Sequence, residues 1–186
     1  MGIRIIAGIG NPGTEYAGTR HNLGFEVIRT ITERNEVFSA AERFHAQAYY
    51  CRIAGEYAVC MKSLLFVNRT GMSVKSALDY YNASLNDVCL ISDDVHIASG
   101  TIRFKRGGSS GGHRGIASVI DECRSEAFPR LKIGIGREYI ADMTSYVLGL
   151  YTGEEKKVLD RAVNDAADAV DVWLKQGIEK SMNIYN

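Results

Sequence analysis

The order of apolar and polar positions predicts strands and helices that alternate along the first half of the chain. The apolar run over 3–9 predicts a strand, and apolar residues at helical spacing over 23–31 predict a helix after it. Alternation over 45–53 and an apolar run over 57–61 predict two strands around a tight turn. The chain therefore opens with a strand, a helix and a hairpin.

The second half continues this alternation. Apolar residues recur every three or four positions over 74–81 and again over 116–123, which predicts two further helices. Short apolar runs predict strands at 88–91, 101–105 and 131–135. Strands that alternate with helices are typical of an α/β protein.

The last long element is predicted to be a helix. Thr152 and Glu155 stand at the spacing of a capping box, apolar residues recur over 159–173, and Gly177 marks the end. The hairpin-like connections indicate a mixed sheet rather than a wholly parallel one. We therefore expect a three-layer sandwich in which a twisted mixed β-sheet is flanked by helices.

Length and composition favour one globular unit. We assign residues 1–186 to a single domain, because 186 residues supply one sizeable core. No apolar stretch approaches the roughly 18 residues of a membrane-spanning helix, so we expect no membrane association. The four cysteines form no CxxC pair and no secretory signal is recognisable. These features predict a reducing compartment, and we expect the protein in the cytoplasm.

Charge is balanced overall but unevenly placed. Lys plus Arg and Asp plus Glu each number 22, yet 103–137 holds eight basic residues against three acidic ones. Within it, the glycine-rich segment 107–115 precedes a predicted helix, where backbone N–H groups can approach an anion closely. The segment is typical of a surface that binds polyphosphate or a nucleic-acid backbone. A mobile glycine loop is the alternative interpretation.

The first predicted strand runs into the glycine loop 8–13, which fits the pattern G-x-G-x-x-G. In a dinucleotide-binding loop the third glycine lies within a helix that has already begun, and an acidic residue follows a second strand. Here a polar stretch follows Gly13 instead, and the acidic residue is missing. The loop instead carries polar side chains that suggest a site, unless it is an ordinary surface loop. These side chains are Asn11, Tyr16, Arg20, His21 and Asn22.

A second polar group follows the predicted strand 88–91. Asp93 and Asp94 could bind a metal, orient a base or form a turn, and the sequence leaves these three possibilities open. A buried acid here could hold a histidine in one tautomer, as the third member of a catalytic triad does. The chain contains no Walker or zinc-ligand spacing, which argues against a P-loop enzyme and a zinc protein, and we expect no serine hydrolase either.

Several of these segments together resemble bacterial peptidyl-tRNA hydrolases. The likeness runs from the first strand to the final residues of the chain, and the spacing of Asn68, Asp93 and His113 is that of the family. The segments that carry it read GIGNPGTEYAGTRHNLG, FVNRTG, GGSSGGHRG and RLKIGIGR. The resemblance implies hydrolysis of the ester between a nascent peptide and the terminal ribose of tRNA, which recycles prematurely released peptidyl-tRNA.

The resemblance also implies residue roles. His21 would be the general base that activates water, and Asp93 would orient it. Substrate-binding roles are implied for Asn11, Tyr16, Phe66, Asn68, His113 and Arg114. Contacts with tRNA phosphates are implied for Arg103, Lys105 and Lys132. No metal and no cofactor is implied, the partner would be peptidyl-tRNA, and we expect a monomer.

The sequence departs from the family at a few positions. Arg114 stands where the family usually has Asn, at a residue implicated in contacts with tRNA. Ser63, Val67 and Ser92 replace a usual Pro, Met and His. Because the catalytic set is complete, a working enzyme is favoured. The alternative is a non-catalytic relative that keeps the fold to bind RNA.

Overall fold

The computed structural model describes residues 2–136 and 141–186. The strands are β1 Arg4–Gly8, β2 Glu36–Arg43, β3 Ala46–Ile53, β4 Glu56–Ser63, β5 Val88–Ala98, β6 Ile102–Lys105 and β7 Arg130–Gly136. The helices are α1 Leu23–Arg34, α2 Thr70–Tyr81, α3 Arg114–Cys123, α4 Met143–Val147 and α5 Gly153–Tyr185. Two short 3-10 helices, Arg20–Asn22 and Val67–Arg69, lead into α1 and α2.

The strands form one mixed seven-stranded sheet in the order β2-β3-β4-β1-β5-β7-β6. The central strands β4, β1, β5 and β7 run parallel. The pairs β2–β3, β3–β4 and β6–β7 are antiparallel. The prediction of a mixed sheet is therefore confirmed, since the hairpins add antiparallel strands to a parallel centre.

Successive side chains of the central strands pack alternately into two separate hydrophobic cores, one on each face of the sheet. Ile6 of β1 packs in a cluster with α1 and α5 that contains the fully buried Trp173. Its neighbour Ile5 packs on the other face, with residues of α2 and α3. Because successive strand residues point to opposite faces, one buried strand can hold helices on both sides. The expected three-layer sandwich is confirmed.

The structure departs from the predicted elements in four places. β2 was not predicted, because all eight of its residues are exposed and carry no core alternation. α4 was not predicted either. β5 continues to Ala98 instead of ending at 91. α5 is interrupted at Gly177, where φ is 75°, but helical residues continue to Tyr185.

The capping-box interpretation of Thr152 and Glu155 is wrong. The Thr152 side chain makes no capping hydrogen bond to any residue in the described part of the chain. Glu155 instead accepts two hydrogen bonds from Arg20, 135 residues away in sequence. Two parallel hydrogen bonds between opposite charges are stronger than the single bond that the carboxylate could accept from a backbone N–H in a capping box, which explains why Glu155 pairs with Arg20.

The side chain of Asn186 bonds to the backbone of one residue at an edge of the sheet. Asn186 Oδ1 accepts a hydrogen bond from Phe104 N at 2.9 Å, and Asn186 Nδ2 donates to Phe104 O at 3.0 Å. Phe104 lies in β6, the edge strand beside β7. Within the described residues, no helix combines the length and the apolar character that crossing a membrane would require.

Candidate active site

The glycines of the first loop bring the start of α1 against the end of β1. A Cβ on Gly8 would lie 2.3 Å from Gly24 O, and a Cβ on Gly24 would lie 2.5 Å from Ile9 N. Side chains at either position would therefore separate the strand from the helix. These glycines serve close backbone packing, and the polar turn between them is held beside the end of β1.

Two asparagines fix the shape of this turn. Asn22 Oδ1 accepts from Asn11 N at 2.9 Å, and Asn22 Nδ2 donates to Asn11 O at 3.0 Å. Asn11 Oδ1 in turn accepts from Val67 N at 2.8 Å, which ties the loop to the segment before α2. Because the oxygen of Asn11 is engaged, its NH₂ group is the end of the side chain that remains for a ligand.

His21 and Asp93 meet beside the end of β1. The pairing of β1 with β5 ends at Gly8 and Ile91, so β5 projects beyond β1 and carries Asp93 past it. His21 Nδ1 lies 2.9 Å from Asp93 Oδ1, and both residues are buried, at 8% and 3% exposure. Of the three possibilities left open for Asp93, orientation of a histidine is the one that this geometry supports.

A second histidine donates to the same carboxylate oxygen. His113 Nε2 lies 3.1 Å from Asp93 Oδ1, and the two imidazole rings are 4.9 Å apart between centroids. His113 is also the N-cap of α3, where its Nδ1 accepts from Gly115 N at 3.1 Å. An acceptor nitrogen carries no proton, so the His113 proton lies on Nε2 and faces Asp93.

The same hydrogen bonds bear on metal binding. His21, Asp93 and His113 place three possible ligand atoms within 4.8 Å of one another. A metal on His113 Nε2 would move the imidazole proton to Nδ1. There it would face the backbone N–H groups at the start of α3, which now donate to Nδ1. A metal would also displace the proton that His21 Nδ1 shares with Asp93. The donor set therefore suits a hydrogen-bonded centre better than a metal centre.

The burial and charges of this centre shift two pKa values in opposite directions. Burial lowers the pKa of His21, but the hydrogen bond and the charge of Asp93 outweigh it, so the pKa lies above its usual value. Arg114 has a smaller, lowering effect on the same pKa. Burial alone would raise the pKa of Asp93, yet interactions with His113 and His21 hold it well below the usual range. Asp93 is therefore an anion at neutral pH.

A cavity of about 410 Å³ opens over this centre. It brings together six of the residues to which the sequence assigned a role: Asn11, His21, Asp93, His113, Arg114 and Lys132. Val67, Ile116 and Val147 add apolar surface to the lining. A mainly apolar cavity with a few converging polar groups is the usual form of a substrate site.

Lys132 has an internal partner within this cavity. Its Nζ lies 2.5 Å from Asp94 Oδ2, and both side chains are mostly buried, at 11% and 9% exposure. The pair neutralises a charge that the sequence assigned to a tRNA phosphate. His96 also lines the cavity and is exposed.

The remaining predicted residues do not line the cavity. Tyr16 and Phe66 contact each other edge to face at 6.3 Å between ring centroids, and Phe66 is 54% exposed. Asn68 is exposed on the 3-10 helix before α2. Arg103 and Lys105 are exposed on the edge strand β6, where Arg103 stands opposite Lys132.

Other basic residues of the segment 103–137 differ in their surroundings. Arg130 is 1% exposed and donates to Ser109 O at 2.8 Å and to Glu126 O at 3.1 Å, so it fixes the glycine loop instead of facing a ligand. Arg106 pairs with Glu179 on the surface. Arg137 lies outside the described residues.

Sequence reasoning missed the apolar wall that α4 contributes, which includes Met143, Val147 and Leu148. These residues are partly exposed in a five-residue helix, so they carry no periodic signal. It also gave no structural role to Asn22, although Asn22 forms part of the motif that predicted the site. A polar residue that bonds only to backbone groups of a neighbouring loop has no signature in sequence spacing.

Comparisons with known proteins agree with this geometry. Residues 5–186 match the peptidyl-tRNA hydrolase family. A peptidyl-tRNA hydrolase of Caldanaerobacter subterraneus is 41% identical over 182 residues, which are 98% of each chain. One from Persephonella marina is 37% identical over 188 residues, covering 99% of this chain and 97% of the relative.

A solved structure shows the same fold. The crystal structure of peptidyl-tRNA hydrolase from Acinetobacter baumannii superposes with a TM-score of 0.90 at 29% identity, covering 99% of this chain and 94% of that one. The sequence match, the fold and the resemblance of the site motifs agree. The chain belongs to the peptidyl-tRNA hydrolase family.

Proposed function

We propose that the chain cleaves the ester between a peptide and the terminal ribose of tRNA with His21 as general base. One observation carries the proposal: His21 Nδ1 is bonded to a buried anionic carboxylate. With the proton on Nδ1, Nε2 is the basic nitrogen, which accepts a proton from water in the proposed reaction. Asp93 holds this tautomer and stabilises the imidazolium that forms.

The reaction needs no covalent intermediate. Water attacks the ester carbonyl carbon as Nε2 takes its proton, and the carbonyl oxygen becomes an oxyanion. When this intermediate collapses, the bond to the ribose oxygen breaks and the imidazolium returns its proton to that oxygen. The products are the peptide acid and tRNA. Asn11 Nδ2 would donate to the substrate carbonyl, since Oδ1 of the same side chain already accepts from Val67 N.

We assign the other predicted residues either to the peptide end or to the tRNA end of the substrate. We assign Asn68, Tyr16 and Phe66 to the peptide and the ester end of the substrate, as the family resemblance implies. Arg114 faces the cavity and would contact tRNA in place of the family Asn. Arg103 and Lys105 would contact phosphates on the exposed edge of the sheet, with Lys132 beside them.

We further propose that the protein is a cytoplasmic monomer that binds peptidyl-tRNA. All four cysteines are free thiols, and three of them are buried, which suits a reducing compartment. Sedimentation of the purified chain measures the oligomeric state, and a dimer at micromolar concentration would contradict this part of the proposal.

The test is turnover of N-acetylated aminoacyl-tRNA by the purified chain, with the same tRNA carrying the free aminoacyl group as control. We expect cleavage of the blocked substrate alone, because an ammonium group in this cavity would be desolvated without an assigned partner. Equal cleavage of both substrates would contradict the assigned recognition. Binding of tRNA without turnover would contradict the catalytic role.

A further inference from the structure

Arg20, the residue before His21, connects the turn that carries His21 to the start of α5. Arg20 is 7% exposed and its guanidinium donates four hydrogen bonds. Two of them form a bidentate pair with Glu155, at 2.7 Å from Nε to Oε1 and 2.6 Å from Nη2 to Oε2. Bidentate charge-assisted bonds with little exposure are strong and geometrically specific. The turn and the first residues of α5 therefore move together.

The other two bonds go to α4. Arg20 Nη1 donates to Tyr146 O at 3.1 Å and to Gly149 O at 3.2 Å, and the guanidinium carbon lies 4.4 Å from the centroid of the Tyr146 ring. These carbonyls lie at the C-terminal end of α4, where a positive charge is favourable. The Arg20 backbone N also donates to Gly149 O at 3.1 Å.

Gly149 has no side chain, and this leaves space for the Arg20 guanidinium. A Cβ on Gly149 would lie 2.8 Å from Arg20 Nη1 and 3.2 Å from two backbone oxygens. Since the guanidinium is held from its other side by Glu155, a side chain at 149 would displace it. The packing is therefore specific to an arginine facing a glycine.

α4 forms one wall of the cavity that contains His21. Met143, Val147 and Leu148 line this cavity together with the catalytic residues. We infer that Arg20 is a positioning residue: paired with Glu155, it holds α4 against the turn of His21 and so fixes the width of the cavity. This inference rests on the proposed function, because the cavity is assigned to the substrate. Asp93 holds the imidazole itself, so the contact governs the wall and not the base.

Glu155→Gln tests the inference with a neighbouring control. The substitution removes the charge that holds the guanidinium, whereas Glu154→Gln removes only an exposed pair with Lys157 in the same turn of α5. We expect amide hydrogen exchange over 143–149 to become about tenfold faster in Glu155→Gln, while β1 and β5 stay protected. Glu154→Gln should leave all of these segments unchanged.

Kinetics on N-acetylated aminoacyl-tRNA give the second readout. A wall that moves away weakens substrate binding without altering the base, so KM should rise about tenfold in Glu155→Gln while kcat changes less than about twofold. The acid limb of the pH profile should keep its position, because the pair of His21 with Asp93 is intact. Gly149→Ala should give the same rise in KM, since it displaces the guanidinium from the α4 side.

Three results separate the possible failures. Unchanged exchange over 143–149 in both Glu155→Gln and Gly149→Ala would overturn the inference. A fall in kcat with a displaced acid limb would also overturn it, because Arg20 would then act through His21. An inactive parent protein would overturn the proposed function alone, since the exchange experiment tests the contact between Arg20 and α4 without any substrate.

Discussion

The cavity and the β6 edge handle polar groups in opposite ways. In the cavity, His21 and Asp93 are buried, and the carboxylate oxygen accepts from two histidines. On the edge, Arg103 and Lys105 are exposed to solvent. Buried hydrogen bonds fix geometry and proton positions, whereas exposed cations act through charge and are screened by salt. The first region is therefore suited to chemistry and the second to holding a polyanion.

Removing the base should produce the largest effect that separates the two regions. We expect His21→Ala to lower kcat by about 10² to 10⁴ fold, the usual contribution of a general base, while tRNA affinity changes little. Single-turnover rates and filter-binding constants measure the two quantities. His96→Gln is the control, because it also removes an imidazole from the lining of the cavity, but an exposed one. A His21→Ala variant that keeps nearly the parental rate would overturn the mechanism.

Neutralising the buried acid should also lower kcat. In Asp93→Asn the side-chain oxygen can still accept from His21 and His113, but the charge that holds the tautomer and stabilises the imidazolium is lost, so we expect a fall of up to about 10⁴ fold, as in a triad whose acid is neutralised. Because the Asp93 charge raises the pKa of His21, its loss should also move the acid limb of the kcat/KM profile to lower pH. A limb that moves to higher pH would contradict the assigned electrostatics.

The pH profiles of the parent protein and of Arg114→Asn together test the effect of Arg114 on the pKa of His21. The base must be neutral, so activity should fall as pH drops through the His21 pKa, at a pH above the ordinary value of about 6.5. Arg114 lowers this pKa, so Arg114→Asn should move the acid limb to higher pH. If Arg114 also contacts tRNA, the same variant should raise KM. An unmoved limb would show that Arg114 does not influence the base.

The edge should respond to salt and not to pH. Each lost phosphate contact should reduce the slope of log K for tRNA against log salt by about one unit, which we expect for Arg103→Ala and Lys105→Ala. Lys132→Ala should reduce it less, because Lys132 is already paired with Asp94. Unchanged salt slopes in Arg103→Ala and Lys105→Ala would show that β6 does not contact tRNA phosphates. A full unit for Lys132→Ala would show that tRNA displaces Asp94.

Local periodicity predicted most of the fold, because the buried faces of strands and helices repeat every two or 3.6 residues. The helix from Leu23 and the hairpin around residues 54–55 formed as expected. β2 could not be found this way, since no residue of it is buried. Its place is fixed by backbone pairing to β3, which leaves no pattern in the side chains.

The site was predictable where the family resemblance covers it and was hidden where it depends on distant partners. From its place after a buried run, Asp93 could bind a metal, orient a base or form a turn; the resemblance implied the orienting role, and the carboxylate does meet His21. The role of His113 as an N-cap depends on where α3 begins, which the glycines before it leave undetermined. Glu155 shows the limit most clearly, because its local spacing indicated a cap while its partner is Arg20.

The side chain of Asn186 affects whether the edge strand β6 can pair with a strand of another molecule. Its amide bonds to both backbone groups of Phe104, as a neighbouring peptide unit would. An open strand border invites other chains to extend the sheet, and this single amide occupies the middle of the border formed by β6. Arg103 and Lys105 flank the occupied position and remain exposed. The amide of Asn186 therefore occupies backbone groups with which a strand of another molecule could otherwise pair.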